Sequence, residues 1–200
     1  MSTISPVDVR LEWQGPYAWR AGKWPPLAEA PESRQGGLYL WTVPTPSGYL
    51  VHYVGQTERG FAARHFQHLQ AYLTGSYSIH NPEKFREGRR EQIYRGYGYR
   101  SGWTPVFDFA ECAGSLLPHI VAMLDSMALF LAPLTLATRS QRLIEAAIIQ
   151  LLYSSADEQV RNFQSENMRC WRRVPADPAI VVECVTSAVV LRGVPSRFEA

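Results

Sequence analysis

Two phenols, a guanidinium, an imidazole and a carboxylate are placed in this 200-residue chain so as to suit chemistry on a phosphate. Tyr39 and Tyr53 each sit in a glycine-containing tripeptide, Gly37-Leu38-Tyr39 and Tyr53-Val54-Gly55, and Arg64 and His68 follow one helical turn apart. Cleaving a phosphodiester requires an activated water, neutralisation of the pentavalent phosphate and help for the leaving oxygen, and a hydrated divalent cation supplies the last two. Such a cation takes oxygen ligands, so the informative residue is a carboxylate where a core-facing position would not otherwise tolerate one. Glu145 is that residue. On a helical wheel it falls between Ile149 and Leu152, at the margin of the stripe Ile144, Ala147, Ile148 and Leu151. There a metal or an arginine compensates it, or it reaches out to water or pairs with Arg142.

The other groups carry structural readings beside the chemical one. Hairpin tyrosines commonly pack a core or rim, and a phenol titrating near pH 10 acts as a base only beside positive charge. The two hydroxyls share a cleft if their strand registers align, and Gly37 and Gly55 would let backbone or phosphate approach closely. Arg64 and His68 lie opposite the stripe Ala62, Phe66, Leu69 and Leu73, which places them toward solvent by periodicity; Phe61 and Tyr72 beside them suggest a second covered groove. His65 is a neighbour able to replace His68 in proton transfer. His52, His80 and His119 have no partners at zinc-ligand spacing, and no nucleophile elbow, phosphate loop or dinucleotide fingerprint is present.

Several elements must hold these groups. Residues 1–35, rich in Trp and Pro, read as an arm packed on the core. GLYLWTV (37–43) and YLVHYV (49–54) read as a β-hairpin around Pro44, Pro46, Ser47 and Gly48, and residues 58–73 as a helix stopped by Gly75. Residues 74–104 show no sustained period and read as an exposed insertion. TPVFDFAEC (104–112) alternates like a third strand, residues 116–131 read as an apolar helix ended by Pro133, and residues 141–153 as a helix capped by Ser140. Residues 180–191 are dominated by branched side chains and have strand character.

With 46% hydrophobic residues the chain can bury one substantial core, and its net charge of +2 does not by itself announce a nucleic-acid partner. Local clusters say more. Lys84, Arg86, Arg89, Arg90, Arg95 and Arg100 are interleaved with Tyr94, Tyr97 and Tyr99 and followed by Trp103, while Arg161, Arg169, Arg172 and Arg173 form a second group; such stretches neutralise phosphates and stack on bases. The three cysteines match no metal spacing, and with no apolar secretory segment at the start they point to a reducing cytoplasm. The apolar window 116–137 is interrupted by Pro118, His119, Asp125 and Pro133, and burying Asp125 argues against a membrane span.

Taken in order, Gly37-Leu38-Tyr39, Tyr53-Val54-Gly55, Arg64 with His68, the helical Glu145 and Asn162 resemble the GIY-YIG nuclease family. The resemblance covers about residues 36–112 and 140–165. It implies an α+β fold with a small three-stranded antiparallel sheet flanked by helices. An N-terminal arm (1–35) would precede the nuclease-like domain (36–173), which carries insertions at about 74–104 and 114–138, and a strand-like extension (174–200) would follow. It further implies a Mg²⁺- or Mn²⁺-dependent DNA endonuclease. In this family one motif tyrosine deprotonates or orients water, the arginine holds the scissile phosphate, the glutamate binds the metal and the asparagine supports the site. Those roles fall on Tyr39, Tyr53, Arg64, Glu145 and Asn162, with His68 a proton acceptor; Asn167 competes with Asn162. The chain departs from the pattern in Leu38 and Val54 and in the long stretch between Arg64 and Glu145. The expected partner is double-stranded DNA, without a membrane, and double-strand cutting by one small site favours a homodimer. Two alternatives remain: a catalytically silent nucleic-acid-binding module on the same fold, or a structural protein that binds a partner through the Trp-rich arm and the apolar helix.

Overall fold

The aromatic and branched runs around Pro44 to Gly48 pair as an antiparallel hairpin, β2 (Gly37–Thr45) with β3 (Gly48–Thr57), as the sequence predicts. The computed structural model describes residues 6–99, 104–166, 168, 170–187 and 189–200. Its other elements are β1 (Val7–Tyr17), α1 (Phe61–Leu73), β4 (Ile79–His80), α2 (Pro82–Arg86), β5 (Gln92–Tyr94) and α3 (Thr104–Asp125), followed by β6 (Ala128–Pro133), α4 (Thr138–Tyr153), α5 (Glu158–Asn162), β7 (Ile180–Thr186), β8 (Leu191–Arg192) and β9 (Arg197–Glu199).

The small three-stranded sheet is not what forms. Seven strands join in one mixed sheet, ordered β8-β3-β2-β6-β1-β7-β9 and curled as half a barrel. Antiparallel pairing links β3, β2, β6 and β1, whereas β1 with β7 and β3 with β8 are parallel. The segment read as an arm supplies β1 near the middle of this sheet, and residues 180–186 lie in register beside it, Val7 opposite Ile180 through Trp13 opposite Thr186. Burial of Leu11, Trp13, Ile180 and Val182 explains why both ends of the chain are drawn in.

Two further elements differ from the sequence reading. Residues 104–112 are the start of α3, not a strand, and α3 continues through Pro118 to Asp125. Pro105, Phe109, Leu116, Ile120 and Met123 carry a helical period along its buried side, and Pro118 is tolerated on the exposed side. Residues 128–133 form the fully covered strand β6 between β1 and β2. A continuous apolar run suits a strand buried on both faces as well as a helix, and here the neighbours on either side decide. The expected helix over 141–153 is α4, but its N-cap is Ala137, which has no side-chain bond to offer, rather than Ser140.

The inward face of α1 is also one residue away from the expected one. Phe61, His65, His68 and Tyr72 are buried, whereas Phe66 is 60% and Leu73 40% exposed. The sheet face opposite offers Tyr39 and Trp41, whose polar atoms need partners that the imidazoles of His68 and His65 supply and aliphatic side chains do not.

Candidate active site

The hairpin register decides where the two phenols point. Tyr39 is paired with Gly55, and Trp41 with Tyr53, so Tyr39 and Trp41 share one sheet face. The ring of Tyr39 lies over Gly55, where a Cβ would stand 2.4 Å from Tyr39 Cζ and Oη. Gly37, at φ +148°, would drive a Cβ to 2.2 Å from the Ala132 carbonyl oxygen. Each glycine is thus required by close packing within the sheet. After Trp41 the register slips: Thr42 is opposite Val51, leaving His52 as the extra residue of a bulge. The bulge lets His52 and Tyr53, adjacent in sequence, both line the same cavity.

From α1, one turn brings Arg64 and His68 onto Tyr39. Arg64 Nε donates to Tyr39 Oη at 3.3 Å, Tyr39 Oη and His68 Nε2 are 2.8 Å apart, and His68 Nδ1 lies 2.9 Å from Tyr77 Oη. Two proton arrangements satisfy this chain. In one, Tyr39 donates to Nε2 and Nδ1–H donates to Tyr77; in the other, Tyr77 donates to Nδ1 and Nε2–H donates to Tyr39. His65 is occupied elsewhere, accepting at Nε2 from Trp41 Nε1 at 3.1 Å while Nδ1–H donates to the Phe61 carbonyl at 2.8 Å. Its bonds are those of a positioning residue, which separates it from His68.

Electrostatics keep the chain neutral. Burial, then Arg64 and His65, push the His68 imidazole down to about 2. Burial, then Tyr53, hold the Tyr39 phenol well above its ordinary value against the pull of Arg64. Tyr53 is pushed up to about 12 by burial, then by Glu145 and Tyr77, with its hydrogen bond to Tyr39 opposing.

Glu145 projects from α4, which packs across β3 and β2, into the same space. Burial pushes its carboxyl up to about 7, with partial relief from Arg142 and Arg64. Among the described residues no side chain donates a hydrogen bond to it. A desolvated carboxylate with open lone pairs, facing a cavity, fits the oxygen-donor preference of Mg²⁺, which takes one or two carboxylates and completes its shell with water and phosphate. The cavity measures about 420 Å³. Its lining includes Tyr39, Trp41, His52, Tyr53, Arg64, Tyr77, His80, Arg90, Gln92, Arg142, Glu145, Ser165, Glu166 and Trp171.

Of the residues singled out from sequence, Tyr39, Tyr53, Arg64, His68 and Glu145 are brought together. Asn162 is not. It is exposed at the end of α5, its amide 3.4 Å from Glu158 and its carbonyl accepting from Arg90 Nε, in a shallow groove next to the cavity. The buried amide of this region is Gln164, whose Nε2 donates at 2.8 Å to both the Val51 and Val160 carbonyls and so fixes β3 two residues from Tyr53. Asn167, Arg100, Trp103 and Arg169 lie outside the described residues.

The basic clusters are dispersed. Arg90 reaches the cavity; Lys84 is half-buried beside Glu87, 3.9 Å away, and Arg89 pairs with Glu87. Arg86, Arg95 and Arg172 are exposed, Arg161 donates to the Ser155 carbonyl, and Arg173 pairs with Glu199 at 3.4 Å. Sequence reasoning missed Tyr77, His52, His80 and Arg142 as cavity groups. Tyr77 lies in the stretch without a period, and the two histidines have no partner at zinc-ligand spacing to mark them. Arg142 alone left a signal, three residues before Glu145; its guanidinium lies 4.5 Å over the Trp171 ring. Compared with protein-family models, with curated proteins and with solved structures, the chain matches none.

Proposed function

We propose that this protein is a divalent-metal-dependent endonuclease that hydrolyses DNA phosphodiester bonds in the cavity between the β2–β3 hairpin, α1 and α4. The observation that carries the reading is convergence: two phenols from the hairpin, a guanidinium from α1 and, from α4, a carboxylate without a hydrogen-bond donor among the described residues face one space of about 420 Å³. This is the set, without its asparagine, that a resemblance to GIY-YIG nucleases calls for.

Arg64 uses Nε on Tyr39 and Nη1 on Gln67 Oε1 at 3.2 Å, which leaves Nη2 to reach the scissile phosphate. Glu145 would hold Mg²⁺ or Mn²⁺, whose charge offsets that of the pentavalent phosphate and the leaving oxygen. Tyr39 and His68 handle the proton of the attacking water. As the water gives its proton to Tyr39 Oη, the Tyr39 proton passes to His68 Nε2, the Nδ1 proton passes to Tyr77, and Tyr77 releases its own to the cavity. The imidazole changes tautomer without ever becoming cationic, and no free phenolate forms. That suits a histidine whose charged form is strongly disfavoured and a phenol that resists ionisation. Arg90 and Arg142 at the cavity, with the exposed Arg86, Arg95 and Arg172, would contact the flanking DNA backbone.

Incubation of the purified protein with supercoiled plasmid and Mg²⁺ or Mn²⁺ tests this. Relaxed or linear product is expected from the wild type and none from Arg64→Ala or Glu145→Gln. Salt-dependent binding without cleavage in either metal would identify a silent binding module instead, and intact plasmid with no binding would remove DNA from the account.

A further inference from the structure

One aromatic side chain at the cavity has no use in the hydrolysis itself. Among the described residues, Trp171 alone is a large hydrophobic side chain that is both exposed, at 39%, and part of the cavity wall. The Arg142 guanidinium lies 4.5 Å over its ring, and no aromatic ring of the described residues stacks on it. An open indole backed by a cation is a platform for a flat, π-rich ligand. We infer that an unpaired nucleobase stacks on Trp171 while the phosphate beside it meets Arg64, so that the substrate is DNA with a nucleotide looped out of the duplex, or single-stranded, at the cleavage point. This rests on the reading of the cavity as a nuclease site.

The platform borders the reacting groups. Arg142 and Glu145 are three residues apart on α4 and share a face of it. Burial raises the Glu145 carboxyl, and Arg142 is the charge that opposes this most. A base on Trp171 therefore lies beside the carboxylate assigned to the metal.

The uncommitted polar groups of the cavity suit a base edge better than a second phosphate. His80 and Gln92 are opposite each other across β4 and β5, and both line the cavity. His80 is 8% exposed, Phe85 stacks on its ring, and its Nδ1 is buried without a hydrogen-bond partner, as is Oε1 of Gln56 in the same wall. Burial, then Arg90, lower His80 to about 4, so at neutral pH it has one N–H and one bare nitrogen. A phosphate only accepts hydrogen bonds and calls for cations, whereas a base edge presents donors and acceptors together, as these neutral amides and the imidazole do. The volume of about 420 Å³ falls within the span of small-ligand sites, about 300–1,000 Å³.

Pairing state follows from the same geometry. Inside a duplex both faces of each base are covered by its neighbours, so an indole stacks only on an end or on a base that has left the helix. Tyr39, on which the attacking water depends, is 0% exposed, which suits a strand that enters the cavity rather than a helix laid over it.

Binding in Ca²⁺, which leaves the strand uncut, provides the test, with 2-aminopurine as a looped-out base in an otherwise paired oligonucleotide. Its fluorescence should be quenched on binding, and affinity for the bulged duplex and for the single strand should exceed that for the fully paired duplex by about tenfold or more. Trp171→Ala should weaken binding of the bulged duplex by about fivefold or more, the loss of one base stack, and leave both the affinity for paired duplex and the melting temperature unchanged; Trp171→Phe should keep most of the preference. Equal affinity for bulged and paired DNA, or a loss in Trp171→Ala shared by both, would overturn the base site even where plasmid is nicked. Trp171-dependent binding of bulged DNA without cleavage in Mg²⁺ or Mn²⁺ would uphold the base site and remove the nuclease.

Discussion

Replacing Glu145 by glutamine should stabilise the protein, by an amount that depends on pH. The carboxyl titrates near 7 in the folded chain, because burial disfavours its charge, and near 4.5 when unfolded. Between these values the unfolded state has lost the proton and the folded state keeps it, so the contribution of Glu145 to wild-type stability falls as pH rises through the window. Two and a half pH units at about 1.4 kcal/mol each give a cost of about 3 kcal/mol above pH 7. Glutamine resembles the protonated carboxyl in shape and carries no charge, so Glu145→Gln escapes that cost. Its advantage over wild type should be about 3 kcal/mol near pH 8, or about 6–12 °C in melting temperature for a chain of this size, and about half as large near pH 5.5. Urea midpoints of both proteins across that range measure it. A variant less stable than wild type at pH 8, or a difference that does not change with pH, would refute the claim that burial outweighs Arg142 and Arg64 at this carboxylate. Mg²⁺ should raise the wild-type midpoint and leave the variant where it is.

The phenol chain and the buried imidazoles lead to further expectations. Tyr39→Phe removes the atom shared by Arg64 Nε and His68 Nε2, and stranding these buried donors and acceptors should cost about 1–3 kcal/mol and abolish nicking; unchanged urea midpoints and activity would contradict it. Gly55→Ala drives a Cβ to 2.4 Å from Tyr39 Cζ, so about 1–3 kcal/mol of stability and most of the activity should be lost, and wild-type cleavage by this variant would show that the place of Tyr39 is unimportant. Burial first of all lowers His52 to about 3, His65 and His80 to about 4 and His68 to about 2. Stability present above pH 6.5 is therefore lost as pH falls toward those values, at about 1.4 kcal/mol per unit for each histidine. Urea midpoints that stay level from about pH 7 to about pH 5 would rule this out.

How far the sequence carried depends on whether the controlling contacts are local. The hairpin and α4 were legible because turn residues and a helical period lie within a few residues of one another. In α1 the sequence contains two stripes with the same four-three-four spacing, Ala62/Phe66/Leu69/Leu73 and Phe61/His65/His68/Tyr72. Hydrophobicity favours the first; the aromatic sheet face, with polar atoms to satisfy, selects the second. The alternation of Phe107, Asp108 and Phe109 resembled a strand only because Phe107 is exposed on a helix whose other face buries Phe109. The width of the sheet was not legible at all. It depends on pairing Val7–Trp13 with Ile180–Thr186, a contact that neither segment encodes alone. At the cavity, Tyr39, Tyr53, Arg64, His68 and Glu145 were found through residue type and order. Tyr77, His52 and His80 needed the bulge and the packing of the 74–99 stretch, which no period reveals.

The most direct measurement is a structure of the wild-type protein bound to a DNA duplex with Ca²⁺ to hold the substrate uncleaved. A backbone phosphate contacting Arg64, with the ion on Glu145 and a water within hydrogen-bonding distance of Tyr39 or Tyr53, is the predicted result. DNA bound on another face, or an ion coordinated away from Glu145, would contradict the account.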